Sequence, residues 1–246
     1  MFDFRNIMLI AKRELNSYVS TPVGYIFASI FLAMSASLNF YFGKFFDRGI
    51  ADLESFFQYH PWLYLLLMPA IAMRLWAEER KIGTLELLMT LPITVGEAVV
   101  GKFVAAWIFS GGVLILSFPL WISVNYLGNP DNGIIICNYF ASWLMAGGFL
   151  ALSSCASALT NNQVISFIIA VTICFLFMMT GVEIIQTSFD DWAPVWVTKT
   201  IAKLSIVTNF NAISEGAIDA RNIFYFLSLI VIGLAINSKI IEIKKA

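Results

Sequence analysis

Charge, histidine and paired cysteine are what this chain of 246 residues has least of. Asp, Glu, Lys and Arg together make up 13% of it, about half the share of an average soluble domain. Apolar residues make up 59%, and mean hydropathy is +0.81. So little charge cannot coat a water-soluble surface, so the composition excludes a soluble globular domain and reads as a membrane protein. A net charge of −1 leaves no basic excess for nucleic acid. The single histidine, His60, cannot build a metal site by itself, and beside Pro61 it reads as an interfacial polar residue. The three cysteines, Cys137, Cys155 and Cys174, stand apart in apolar runs without a C-x-x-C pair, the pattern of small buried residues and not of ligands or redox centres. No His-rich cluster and no paired carboxylates lie within a span, which argues against an intramembrane enzyme. The expectation is a chain with no catalytic residue, metal or cofactor of its own.

What the chain does have is long apolar runs. A membrane-spanning helix needs about 20 mostly apolar residues, and six runs approach that: Val23–Phe42, Pro61–Ala77, Phe103–Leu127, Ile134–Leu159, Val164–Gln186 and Asn222–Ile241. Because backbone polar groups must be satisfied internally in lipid, the fold class is all-α and polytopic, a single transmembrane domain over 1–246. The second run is the weakest, with Pro69 inside it and Arg74 near its end, although arginine reaches the interface along its apolar stem and proline is tolerated in lipid-embedded helices. The fifth carries Glu183, whose cost of about 3 kcal/mol is outweighed by the Leu, Ile, Phe and Val residues around it.

Basic residues set the orientation. Arg5, Lys12, Arg13, Arg74, Arg80, Lys81, Lys102, Lys239, Lys244 and Lys245 fall on one side of a six-span arrangement, ten of the fifteen Lys and Arg. That side reads as cytoplasmic and includes both termini. Ser35-Ala36-Ser37 faintly resembles a signal cleavage site, but the apolar run that contains it, about 20 residues, is longer than a signal core and a structured segment precedes it, so uncleaved insertion is expected. Upstream, over residues 1–20, Phe4, Ile7, Met8, Ala11, Leu15 and Tyr18 share one helical face, opposite Arg5, Lys12, Arg13 and Asn16. A basic amphipathic helix of this kind lies in the interface. Anchoring and a mechanical role are equally open to it.

The most charged stretch, Arg74 to Pro92, lies between the second and third runs. Gly83 should break the helix leaving the second span, Thr84 should cap a new one, and Glu86 in its first turn suits the positive end of the dipole. Leu85, Leu88 and Met89 form its apolar face, and Pro92 stops it, giving a helix over 84–91. Thr94-Val95-Gly96-Glu97 has capping-box spacing. Pattern alone favours a solvated connector; a protrusion offered to a soluble partner is the other reading. Gly96 to Lys102 matches G-x-x-x-x-G-K, but Phe103 stands where a phosphate loop needs Ser or Thr and no strand precedes it. No ATP site is visible.

Polar residues within the runs, Asn39, Asn125, Asn138, Glu183 and Gln186, are pathway candidates by default. All lie toward one end of their spans, where hydration also accounts for them; Glu183, then Asn39, are the possible pathway residues. Met178 and Met179 project about 100° apart on a helix and cannot jointly hold one ion. Gly147 with Ala151 and Ser154 with Ala158 have the spacing of close helix packing, inside the chain or at a dimer seam.

The run Arg74-Leu75-Trp76-Ala77-Glu78-Glu79-Arg80-Lys81-Ile82-Gly83-Thr84-Leu85-Glu86-Leu87-Leu88, followed by Leu91-Pro92 and Gly101-Lys102-Phe103, resembles the signature loop of ABC-2 type transporter permeases. It is closest to the gliding-motility-associated and copper-enzyme-maturation branch. Asn16 to Tyr25 resembles that branch's approach to the first span, and Phe210 to Ser228 its approach to the last. The resemblance implies that residues 1–20 are a connecting helix, with Lys12, Arg13 and Glu14 on it, and that 84–91 is a coupling helix docked on a separate cytoplasmic ATPase. Glu78, Glu79, Arg80, Lys81, Thr84, Leu85, Glu86 and Leu88 would carry that coupling. ATP and Mg would then bind the partner ATPase. Short re-entrant helices are implied over 188–221, where Trp192, Trp196 and the Ile201/Leu204 face also read as an aromatic belt. The function implied is a multi-pass permease subunit, an exporter, of a bacterial inner-membrane transporter, working with a second permease copy or a homologous one. An ATPase-coupled assembly or force-transmitting component that moves no solute is the alternative.

Overall fold

The computed structural model describes residues 3–90, 92–181, 203–216 and 219–245, and among these every regular element is helical. Four stretches are long and apolar enough to cross a membrane: Pro22–Arg48, Val95–Leu127, Asn132–Leu159 and Ala220–Lys244. The chain is thus a multi-pass, all-helical protein.

Helix α1 (Phe4–Ser20) is capped by Asp3 and ends at Thr21, whose extended backbone turns the chain into α2 (Pro22–Ser37). Pro22 suits that start, since a first-turn residue has no use for its N–H. The first long stretch then widens into a π-helical turn, Leu38–Phe42, before two short helices, α3 (Phe45–Arg48) and α4 (Glu54–Gln58). Helix α5 (His60–Ile82) runs 23 residues, about 34 Å, with the charges gathered in its last turns. After α6 (Thr84–Thr90) comes α7 (Val95–Ile115), opened by the expected capping box: the Thr94 hydroxyl accepts from the Glu97 N–H and the Glu97 carboxylate from the Thr94 N–H.

The run Phe103–Leu127 is not one helix. Pro119 has no N–H to donate to Ile115 and its ring crowds the preceding turn, so the chain makes a tight turn at Leu116 and Ser117 and restarts as α8 (Phe118–Leu127). Ser117 steadies the break, its hydroxyl donating to the Leu114 carbonyl at 2.6 Å. Helix α9 (Asn132–Leu159), capped by Asp131, is the buried centre of the bundle and packs against α5, α7, α10 (Gln163–Met179), α11 (Ile206–Ser214) and α12 (Ala220–Lys245). Large apolar side chains remain exposed on the rim, among them Tyr25, Ile26, Ile108, Phe224, Val231 and Ile232, the surface a lipid-facing bundle presents.

The small residues of α9 serve internal packing. A Cβ on Gly147 would lie 2.8 Å from the Trp107 indole nitrogen, and one on Gly233 of α12 would lie 3.0 Å from Ala151. Ser154 accepts a hydrogen bond from Asn237 at 2.9 Å. Trp107 and Trp143 stack at 4.4 Å and each donates its indole N–H to the other's backbone carbonyl.

His60, read as interfacial, and Asn39 and Asn138, for which the sequence leaves hydration as an alternative to a pathway role, are buried. His60 has no exposed surface; its Nδ1 lies 2.7 Å from the Ser142 hydroxyl, which also meets Tyr64, and Phe31, Phe56 and Phe57 surround the ring. The reason is α4, a short helix that hydropathy does not reveal and that folds over the start of α5. Asn39 is 1% exposed, in the π-helical turn, and neither amide atom has a partner among the described residues. Asn125, by contrast, is exposed and pairs reciprocally with Asn132 across the α8–α9 turn.

Of the expected fifth span, Val182 to Gln186 lie outside the described residues, and so do Glu183, Trp192, Trp196 and Ile201. In the 188–221 region the described part is α11 with its flanks. Ser205 caps α11, and Ile206, Phe210 and Ile213 bury its inner face.

Candidate functional site

The charges converge at the end of the bundle where α1, α5, α6 and α7 meet. Gly83, with φ of +79°, closes α5 in the left-handed conformation that glycine adopts without a steric penalty. Helix α6 starts at the next residue. Thr84 does not cap it: its hydroxyl donates back to the Glu79 carbonyl at 3.3 Å, serving the end of α5 instead of the start of α6. With only one residue between the helices, no room is left for an N-cap in extended conformation. Leu88 is buried and Leu85 half-buried, seating α6 on the bundle, while Glu86 and Leu87 face outward. Leu91 and the Met89 side chain lie outside the described residues.

At the centre of the site is Lys102, which is not among the expected coupling residues. Its side chain is 3% exposed, and its ammonium donates to Glu79 of α5 at 2.7 Å and to Glu14 of α1 at 3.0 Å. The Trp76 ring lies 5.3 Å from the same nitrogen, a distance at which the ring's electron-rich face attracts a cation. Arg13, at the surface, joins Glu14 at 2.8 Å and approaches Glu79 at 3.9 Å. Three helices are therefore tied through one buried ammonium. A lysine inside an apolar run, flanked by Val99, Val100 and Phe103, was the available signal, because such a charge must find a counter-ion.

The four consecutive residues Glu78 to Lys81 do not act as one cluster. Successive helical positions turn by about 100°, so they fan out around α5. Glu78 folds back on Arg74, at 2.6 and 3.0 Å. Glu79 faces α7 and α1. Arg80 is half-buried on the side toward Lys244, with one guanidinium nitrogen unpartnered among the described residues, and Lys81 is exposed beside Asn161, Asn162 and Gln163. Lys12 is exposed on the outer face of α1.

A second contact fixes α1 on α7. The buried Glu97 carboxylate accepts from the Asp3 N–H at 2.7 Å, the Thr94 N–H at 3.0 Å and the Asn6 amide at 3.3 Å, so one residue holds the first turns of both helices. The helices touch closely at Gly101, where a Cβ would lie 2.9 Å from Ile10. The G-x-x-x-x-G-K run is thus the first two turns of α7, shaped for packing on α1. On α1 itself, the protein-facing side is Ile7, Ile10, Ala11, Glu14 and Tyr18, while Phe4, Met8 and Leu9 stay exposed. The face reads apolar by periodicity, yet it is divided between the bundle and the exterior.

Burial raises the pKa of the Glu14 carboxyl, but Lys102 and Arg13 outweigh it and hold the group below the ordinary carboxylate range. Glu78 is lowered by its hydrogen bonds from Arg74. A carboxylate with a lowered folded pKa contributes stability that is present above its unfolded pKa and lost as pH falls through the folded value. Attachment of α1 to α7 is therefore expected to hold constant through the neutral range and to weaken only below the ordinary carboxylate pKa of about 4.3. Hydrogen exchange of the α1 amides against pH checks this; loosening of α1 between pH values of about 6 and 7 would contradict it.

Of the possible pathway residues, Asn39 lies near the opposite end of the bundle, about the length of α5 away, and Glu183 is outside the described residues. Comparison of the chain with curated proteins finds no match. A family model, ABC-2 family transporter protein, matches residues 8–236. That span takes in most of α1, the Glu14, Glu79 and Lys102 link and most of α12, so the chain belongs to the ABC-2 family of transporter proteins, as a membrane-embedded permease component of an ABC transporter.

Proposed function

We propose that the chain is the permease subunit of an exporter in the bacterial inner membrane, driven by a separate cytoplasmic ATPase that binds ATP and Mg. ABC-2 permeases generally work with such an ATPase. In this reading α6 is the coupling helix, α1 the connecting helix, and Glu79, Lys102 and Glu14 the link that passes movement of α6 to the transmembrane helices. The observation that carries it is the buried Lys102 bridging α5 and α1 one helical turn from α6. Coupling needs a rigid element whose contacts differ between two states, and a buried ammonium shared by two carboxylates on different helices supplies rigidity at that point.

Six crossings complete the topology. To the four long stretches are added α5, whose charges lie in its last turns, and the helix beginning at Gln163; α11 belongs to the re-entrant region. Both termini and α6 then lie on the cytoplasmic side, in keeping with the excess of Lys and Arg there. The branch resembled is that of the gliding-motility-associated and copper-enzyme-maturation permeases. A second copy or a homologous permease supplies the other half.

Reversing the exposed charge by Glu86→Lys is expected to weaken co-purification of an ATPase at least about 10-fold, the effect of about 1.4 kcal/mol, while leaving the fold intact because Glu86 makes no buried contact. Pull-down from mild detergent followed by an ATP-hydrolysis assay reads this out. Unchanged recovery would remove α6 from the interface. ATP-dependent solute movement in reconstituted vesicles separates export from a purely mechanical role.

A further inference from the structure

At the end of the bundle opposite α6, the α4 segment, the α8–α9 turn and α11 enclose a cavity of about 480 Å³, within the size range of small-ligand sites. Its floor is apolar, with Phe57 and Phe210 buried in it. Its rim carries four carboxylates, Asp52, Glu54, Asp131 and Glu215, and no basic residue lines it among the described residues. Arg48 pairs with Asp52 and Glu54 from outside the lining, and Asp131 is engaged with the first amides of α9. One guanidinium against four carboxylates leaves the rim negative, and Glu215 has no ion pair among the described residues.

The independent sign of a ligand is Asn138. It is 5% exposed and lines the cavity. Its amide nitrogen donates to two backbone carbonyls, Ile134 at 3.0 Å and Ser214 at 3.3 Å. Both partners are acceptors, so the amide cannot be flipped, and the oxygen is the end left without a partner. That oxygen is buried and has no donor among the described residues, and the buried hydroxyl of Ser214, which also lines the cavity, has no partner among them. A buried acceptor without a donor is costly and uncommon in a native structure. The carboxylates are spread around the rim, and no group of three metal-ligating side chains among the described residues is placed to hold an ion. An apolar floor, a negative rim and an orphaned acceptor together suit an N–H donor on an apolar body.

We propose that this cavity binds an amphiphilic organic cation, its ammonium held by Asn138 and Glu215 and its apolar part against Phe57 and Phe210. The inference rests on the cavity's own geometry, so it stands or falls separately from ATPase coupling at the other end.

Tryptamine, an ammonium on an apolar ring system, serves as probe, with tryptophol, the same body ending in a hydroxyl, as control. Calorimetric titration of the full chain in zwitterionic-lipid nanodiscs, corrected with empty discs, is expected to show tryptamine binding at least about 10-fold more tightly than tryptophol, the scale of one hydrogen bond to a charged group. Glu215→Gln and Asn138→Leu should each weaken tryptamine by about 10-fold. Glu215 is exposed, so its variant tests the site even where the Asn138 variant fails to fold. Equal binding of the two probes, uptake no greater than by empty discs, or wild-type affinity in Glu215→Gln would each overturn the proposal.

Discussion

Lys102→Met is expected to destabilise the protein by about 3 kcal/mol, the low end of the cost of removing one partner from a buried ion pair. The low end applies because Glu14 and Glu79 keep some contact with solvent, at 17% side-chain exposure each, and Arg13 remains within reach of both. What makes the loss large is the two carboxylates left behind. They stay in the site, face each other across α1 and α5, and have only a surface guanidinium between them. Unfolding in detergent micelles, followed by helical signal, measures the cost. The triple variant Glu14→Gln, Glu79→Gln, Lys102→Met should recover most of it, because no charge is then stranded. A single variant as stable as the wild type would mean that the ammonium does not tie the three helices together.

The second large effect lies at the elbow between α1 and α2. Gly24 is buried, and a Cβ there would come within 2.0 Å of the Tyr18 carbonyl oxygen and 2.9 Å of its carbon. These are backbone atoms and cannot rotate away. Tyr18 is also held from the other side, its ring stacked on Phe109 of α7 at 4.9 Å. Gly24→Ala must therefore push the end of α1 off α7. About 3 kcal/mol is expected, the upper end of overpacking penalties. Spin-label distances between α1 and α7 should lengthen in the same variant. Unchanged stability with unchanged distances would show that the elbow has slack which the close approach does not suggest.

Much of the α6 end was legible because backbone chemistry wrote it. Gly83 marks a left-handed residue, Thr94 and Glu97 form the capping box their spacing indicates, and α9 begins and ends within two residues of its apolar run. Helix start and stop signals act within one turn of chain, so one sequence contains them. Lys102 was harder. Its partners are 23 and 88 residues away, and the glycine-lysine spacing around it invites a nucleotide reading that has nothing to do with its contacts. The charges Glu78 to Lys81 read as a cluster in sequence and separate in space, since adjacent positions on a helix share no face. His60 was placed at an interface, and Asn39 left between hydration and a pathway role, because hydropathy does not distinguish a polar side chain at a membrane boundary from one enclosed by protein; only the packing of α4 and the π-helical turn decides between them. The break at Leu116 had a visible cause in Pro119, but the apolar run carried across it, and a proline within a lipid-embedded helix is often tolerated.

The central claim, that α6 receives a partner ATPase, is tested most directly by a photo-crosslinking residue in place of Leu87, which is 68% exposed on the outer side of α6. Irradiation in native membranes should link the chain to a soluble protein that hydrolyses ATP, and the same residue placed at Phe224, exposed on the rim of the bundle, should not. Capture of no ATPase at Leu87, with the crosslinker shown to be present and reactive, would contradict it.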